Sequence, residues 1–317
     1  MLPLTALFAL TTLFLMTTFT PAQLPDLTGR TFVITGANSG IGRSAARAVA
    51  ARGARVVLAV RDLAKGRAAA ETMTGDLDVR RLDLADLASV RTFAERWTEP
   101  IDVLINNAGL MIPPLGRTAD GFELQFGTNH LGHFALTNLL LSRIRGRVVT
   151  VSSGSHQVGR IDFDDPNWER RSYRPFAAYA QSKLANLLFT AELQRRLIGA
   201  GSAVLATAAH PGMAATNLLG HTENRRSVLT AVNRAFLSRF SQSEEAGALP
   251  TLYAAVADVP GGSYAGPDGF LQGRGAPKLV GRSRSARDDA LARRLWTVSE
   301  QLTGVTFPLA VTTTANG

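Results

Sequence analysis

From Thr31 onward the chain alternates short β-branched runs with longer stretches whose apolar residues recur every three or four positions. The runs read as strands and the longer stretches as helices that cross between parallel neighbours. The pattern predicts strands at 31–35, 55–60, 79–82, 101–105, 147–151 and 203–207, with a late short one near 270–271. Helices are predicted at 41–52, 63–73, 87–97, 122–141, 178–197, 244–257 and 287–302. The expectation is an α/β chain with one doubly wound parallel sheet of about seven strands and helices on both faces.

Two irregular segments, 162–175 and 212–241, follow strand C-termini. An open α/β sheet binds its ligands at that edge, so they are the candidates for a substrate pocket and its lid. No internal repeat or low-complexity linker divides the chain, and a single domain over 27–307 is expected, with a tail at 308–317.

Composition narrows the function classes. At 45% hydrophobic and 19% charged residues the chain can bury a full core. Its 34 Lys and Arg against 25 Asp and Glu give a net charge of +9, but the basic residues are scattered in pairs rather than clustered, which argues for solvated surface and against nucleic acid. The absence of cysteine excludes disulfides, thiolate metal sites and a cysteine nucleophile, and fits a reducing, cytoplasmic compartment. Residues 1–26 form a separate apolar lead-in. Within it, MLPLTALFALTTLFLMTTFT carries no charge and is about as long as a membrane span, so it reads as an anchor, a disordered tail, a start misplaced from Met16, or a cleaved signal. Membrane association through residues 1–20 therefore stays open beside the cytoplasmic reading.

The first predicted strand ends in Thr35-Gly36-Ala37-Asn38-Ser39-Gly40-Ile41-Gly42 and runs into a helix. Glycines there let the backbone turn sharply and approach a pyrophosphate, whose charge the helix N-terminus stabilises. The Gly-x3-Gly-x-Gly spacing in this strand-to-helix setting resembles the short-chain dehydrogenase/reductase family, whose hallmark is TGxxxGxG. The resemblance covers nearly the whole chain from Leu27 to about Phe307 and implies a Rossmann-type fold. Asn106-Asn107-Ala108-Gly109 matches the family's NNAG, and Asp83-Leu84 the pair that meets the adenine.

The second predicted strand ends in Val60-Arg61-Asp62. An acid at its end would accept from a ribose 2′-hydroxyl, whereas a guanidinium can bind a 2′-phosphate bidentately. Arg61 thus favours NADP, with NAD as runner-up; Ser39 departs from the second cation that many NADP-using relatives carry before the middle glycine.

Tyr179 and Lys183 stand four apart on a predicted helix and project from one face. A free phenol titrates near pKa ~10, and a neighbouring ammonium is expected to lower that value and ready Tyr179 for proton exchange with a carbonyl or alcohol oxygen. The resemblance implies the rest of the set. Ser153 would hydrogen-bond the substrate oxygen, Asn129 would hold a relay water, and Lys183 would bond the nicotinamide ribose. Pro211, Gly212 and Thr216 match the PGxxxT segment that receives the carboxamide.

The 162–175 insert, with Ser182-Lys183-Leu184-Ala185-Asn186 after the tyrosine, looks most like the retinol-dehydrogenase-type branch and the WW-domain oxidoreductases. The implied activity is hydride exchange between an alcohol and an aldehyde or ketone, possible on a lipophilic small molecule; a homodimer or tetramer follows only by analogy. Light-driven protochlorophyllide reductases rely on a cysteine this chain lacks, and the TGxxGxxG spacing of the dehydratases and epimerases is absent. A catalytically idle dinucleotide-binding regulator or scaffold is the alternative. His130 and His133 lack a third metal ligand, so no metal is expected. His156 reads either as pocket lining or as a loop residue without a role, and Trp168 and Tyr173 as local packing or substrate contacts.

Overall fold

The computed structural model describes residues 19–212 and 243–310. Most of the apolar lead-in, the greater part of the 212–241 segment with Thr216, and the end of the tail lie outside the described residues. Among those described, no helix is long and apolar enough to cross a membrane.

Eight strands form one sheet in the order β3-β2-β1-β4-β5-β6-β7-β8, the doubly wound arrangement expected. They are β1 (Thr31–Thr35), β2 (Arg55–Val60), β3 (Asp76–Arg81), β4 (Ile101–Asn106), β5 (Ile144–Val151), β6 (Leu205–Ala209), β7 (Tyr264–Pro267) and β8 (Pro277–Leu279). All neighbouring pairs are parallel except β7 with β8. Alternate side chains of a strand serve opposite faces. In β2, Val56, Leu58 and Val60 accordingly join one apolar cluster and Val57 and Ala59 the other.

The first face is covered by α1 (Gly40–Ala50), α2 (Leu63–Ala70) and α7 (Glu244–Val256), and its core also takes in Leu27 and, from the N-terminal lead-in, Leu24. The second face carries α3 (Leu87–Glu95), α5 (Gly132–Leu140), α6 (Pro175–Gly199) and α8 (Asp289–Thr303). Trp296 of α8 is its anchor, stacked on Phe189 with centroids 5.7 Å apart and edge-on to Phe134 at 4.9 Å. Such aromatic pairs are worth about 0.5–1.5 kcal/mol beyond their burial.

Two expectations need correction. The late strand is not at 270–271: Phe270 and Leu271 form the exposed tip between β7 and β8, 88% and 84% accessible, and Leu271 and Gln272 adopt left-handed φ of 49° and 55°. Bulky residues rarely enter that region, so tip geometry rather than strand propensity governs them. The helix expected over 122–141 begins instead as α4 (Leu124–Phe126), widens to a π-helical turn at Gly127–Leu131, and continues as α5. Buried Glu123 caps its start, its carboxylate accepting from the N–H groups of Gln125 and Phe126 at 2.9 and 2.7 Å.

Candidate active site

A cleft of about 450 Å³ opens at the C-terminal ends of the strands. One wall is Gly36 and Asn38–Gly42, with Arg61, Asp83, Leu84 and Asn107–Gly109 beside it; Tyr179, Lys183 and Pro211 close the other. Nearly every residue singled out for the cofactor thus borders one space.

The glycines are there for steric reasons. Gly36 has φ +66°, and a Cβ on it would lie 3.0 Å from Ala108. A Cβ on Gly42 would collide with the Asn107 amide and lie 2.6 Å from the Gly36 carbonyl oxygen. The β1–α1 turn and the β4 turn are thereby pressed together. Thr35 completes the junction: its hydroxyl oxygen accepts from the N–H groups of Asn107 and Ala108, each at 2.9 Å, while Asn107 Nδ2 donates to the Thr35 carbonyl at 2.8 Å.

No side chain caps the first turn of α1, and Ser39–Gly42 line the cleft. An uncapped N-terminus offers N–H donors and the positive end of a helix dipole, a fit for a pyrophosphate. Arg61 reaches the same space without an ion pair to any described carboxylate. Its neighbour Asp62 is spent elsewhere, accepting from Lys65 N at 3.1 Å to cap α2. Asp83 also turns inward on its own loop, accepting from Ala85 N at 3.0 Å.

The catalytic candidates stand on α6, β5 and the π-helical turn. Tyr179 is buried beside Ser153. Burial holds its phenol above the usual value, and a hydrogen bond with the Ser153 hydroxyl pulls it back in part. Lys183 is buried one turn on, its Nζ 5.6 Å from the Tyr179 ring centre and donating to the Val151 carbonyl at 3.2 Å. Burial pushes its ammonium down to about 8. The expectation of a lowered phenol therefore needs correction: burial raises it, and the lowering comes from Ser153 rather than from Lys183. Ser152, beside Ser153, lines the same cleft, and its hydroxyl donates to the Lys183 carbonyl at 2.8 Å.

Asn129 lies within the π-helical turn, a form common at functional sites. Its amide donates to the Leu110 carbonyl at 3.0 Å and to Ser182 Oγ at 2.9 Å, and its side-chain oxygen accepts from Leu110 N at 2.7 Å. A Cβ on Gly109 would meet Asn129 Oδ1 at 3.2 Å and Lys183 Nζ at 3.4 Å, so these groups converge on the glycine of NNAG. Gly212 packs under the β7–β8 tip, its N–H donating to His210 Nδ1 at 3.2 Å.

The histidines hold structure together. His133 Nδ1 bonds the Asn129 carbonyl at 3.1 Å, which can only accept; Nδ1 therefore carries the proton, and Nε2 receives the Thr35 hydroxyl at 2.9 Å. Burial pushes His133 down to about 4 and His130, paired with Ser299 Oγ at 2.8 Å, down to about 3. His156 is buried rather than idle on a loop. In the insert, Tyr173 donates to Glu123 at 3.0 Å and accepts from Gln125 at 2.9 Å, while Trp168 packs edge-on to Tyr173 and under Arg171. The roles of Thr35, Ser182, His133 and His156 were not legible in the sequence, because each has a partner remote in the chain.

A Gly-rich turn feeding an uncapped helix on a 3-2-1-4-5-6 sheet, facing a Tyr-x3-Lys pair, defines a dinucleotide-dependent dehydrogenase. The model of the short chain dehydrogenase family matches residues 30–227, and the chain belongs to that family. Within it the chain falls in the retinol-dehydrogenase-like branch. It is 45% identical to human Retinol dehydrogenase 13 over 297 residues, covering 88% of this chain and 86% of that protein. It is 44% identical to human Retinol dehydrogenase 12 over 308 residues, covering 90% and 89%. The crystal structure of an uncharacterized protein from Mycobacterium paratuberculosis superposes with a TM-score of 0.81 at 54% identity, over 92% of this chain and all of that one (100%). A structure described as an NAD(P) dependent gluconate 5-dehydrogenase from Beutenbergia cavernae, with NADP bound, gives a TM-score of 0.55 at 27% identity over 73% and 91%. The protein is an oxidoreductase acting on alcohol or carbonyl groups.

Proposed function

We propose that the protein is an NADP-dependent oxidoreductase that interconverts a lipophilic alcohol and its aldehyde or ketone, with Tyr179 exchanging the proton. The observation that carries this reading is the Tyr179 phenol, buried beside Lys183 and lining the cleft across from the uncapped helix turn. Arg61, without an ion pair among the described residues while Asp62 caps α2, supports a 2′-phosphate. Leu110, Met111, Pro113 and Leu124 in the same cleft, and relatives named for retinol, support an apolar substrate.

When bound, the dinucleotide supplies or removes the hydride at the substrate carbon. The chain handles the oxygen. Ser153 donates a hydrogen bond that holds it, and Tyr179 gives up its phenolic proton as the carbonyl becomes an alcohol, or takes one in the reverse direction. Asn129 and Lys183, meeting at Gly109, stand where a proton could be returned to the phenol. Thr216 and Pro211 would receive the carboxamide end. Burial holds the phenol above its ordinary value, which favours its proton-donating form and hence reduction, and oxidation gains as pH rises.

The test is a panel of aldehydes and ketones, short to isoprenoid, followed by loss of NADPH absorbance. Wild type is expected to reduce the longer members, and Tyr179→Phe to lose about 1,000-fold or more in kcat while still binding NADPH. Turnover by Tyr179→Phe near wild type would remove the assigned role. Tight NADPH binding with no turnover of any carbonyl would leave only a dinucleotide-binding protein.

A further inference from the structure

Beneath the catalytic serine lies a buried imidazole that the reaction does not consume. His156 sits in the short 3-10 turn Gly154–Val158 that begins at Ser153. Its Nδ1 lies 2.7 Å from the Ser153 carbonyl oxygen, and its main-chain N–H donates to the same oxygen at 3.1 Å. On the other side of the ring, Ser283 N–H donates to Nε2 at 3.2 Å. A carbonyl can only accept and a backbone N–H can only donate, so both ring nitrogens have fixed roles: Nδ1 bears the proton and Nε2 offers a lone pair. The ring also stands edge-on to Tyr264 at 5.5 Å.

We propose that His156 is a positioning residue for the reaction: its neutral Nδ1–H tautomer ties the backbone of the Ser153 turn to the Ser283 segment and so sets the direction of the Ser153 hydroxyl toward Tyr179. This rests on the oxidoreductase reading given above. The hydroxyl is otherwise held weakly. Ser155 N donates to it at 3.2 Å, and that bond belongs to the same short turn and moves with it. The imidazole is the long-range tether, joining residues 127 positions apart. Its surroundings disfavour a charged ring. Burial lowers its pKa and Arg282 lowers it further, His210 lies near it, and the Tyr264 ring packs edge-on against it. Protonation would also turn Nε2 into a donor facing a donor.

Three variants separate the two ends of the tether. In His156→Asn the side-chain amide occupies the place of Nδ1 and can still donate to Ser153. In His156→Gln the amide oxygen reaches the place of Nε2 and keeps only the Ser283 bond. His156→Phe keeps the ring against Tyr264 and makes neither bond. A misplacement of about 1 Å costs about 100-fold in rate. Each variant breaks the tether at one end or both, so His156→Asn, His156→Gln and His156→Phe should all lose about 10- to 100-fold in kcat with KM for NADPH unchanged. Wild-type kcat in His156→Phe, or in either variant that keeps one end alone, would overturn the proposal. Should the variants fail to fold, imidazole ¹⁵N shifts of the wild-type protein decide the matter without turnover. The neutral ring should be the Nδ1–H tautomer and should titrate below the ordinary value of about 6.5, and an Nε2–H tautomer or a titration at or above that value would overturn the tether. A wild-type protein that keeps this tautomer but reduces no carbonyl would count against the oxidoreductase reading instead.

Discussion

At position 42 there is no volume for even a methyl group, since the Asn107 amide and the Gly36 carbonyl already fill it. Gly42→Ala must push the β1–α1 turn away from β4. It is expected to weaken NADPH binding by about 10-fold or more and cost about 1–3 kcal/mol of stability, checked by cofactor titration and urea melts. Arg61→Ala should weaken NADPH far more than NADH; equal losses would withdraw the 2′-phosphate contact. These positions were legible in the sequence because each belongs to a short local pattern whose spacing states its geometry. Thr35 and His133 were not, because they meet across 98 residues and nothing in either neighbourhood announces the other. The sign of the Tyr179 shift was misjudged for a related reason: a four-residue spacing shows that an ammonium is near, but how deeply the phenol is buried is a tertiary fact.

Among the elements, the strands of the central sheet were readable because burial on both faces demands unbroken β-branched runs, as in Arg-Val-Val-Leu-Ala-Val of β2. The last two strands were not. Tyr-Ala-Gly-Pro and Pro-Lys-Leu carry residues that usually end strands, and they pair here at the sheet edge, where the ladder tolerates proline. Phe270-Leu271 was mistaken for a strand because its hydrophobicity has no local sign that it is exposed. Helix α8 shows cap chemistry at both ends: Asp288 accepts from Leu291 N at 2.9 Å, and Gly304 closes the helix at φ 63°. Asp288→Ala should lower stability by about 1 kcal/mol without changing kcat, because α8 packs on α6 away from the cleft. A change in kcat alone would show instead that α8 bears on the site.

For the molecule as a whole, acid is the expected weakness. His130, His133 and His210 are pushed by burial down to about 3, 4 and 4. Once unfolded, each takes a proton below its ordinary value of about 6.5, while the folded protein refuses it until pH nears 4. Stability from these groups is therefore complete above about pH 6.5 and drains away as pH falls toward 4. At pH 5 unfolding should take up about three protons from them, seen as a steep rise of the urea midpoint between pH 5 and 6; an uptake under about one proton would refute this.

The clasp between Gly42 and Asn107 also bears on how a nascent chain matures. A ribosome that has released residues only as far as Asn106 has made the glycine turn but not the amide that braces it. Closure of the glycine turn is therefore tied to insertion of the fourth strand beside the first.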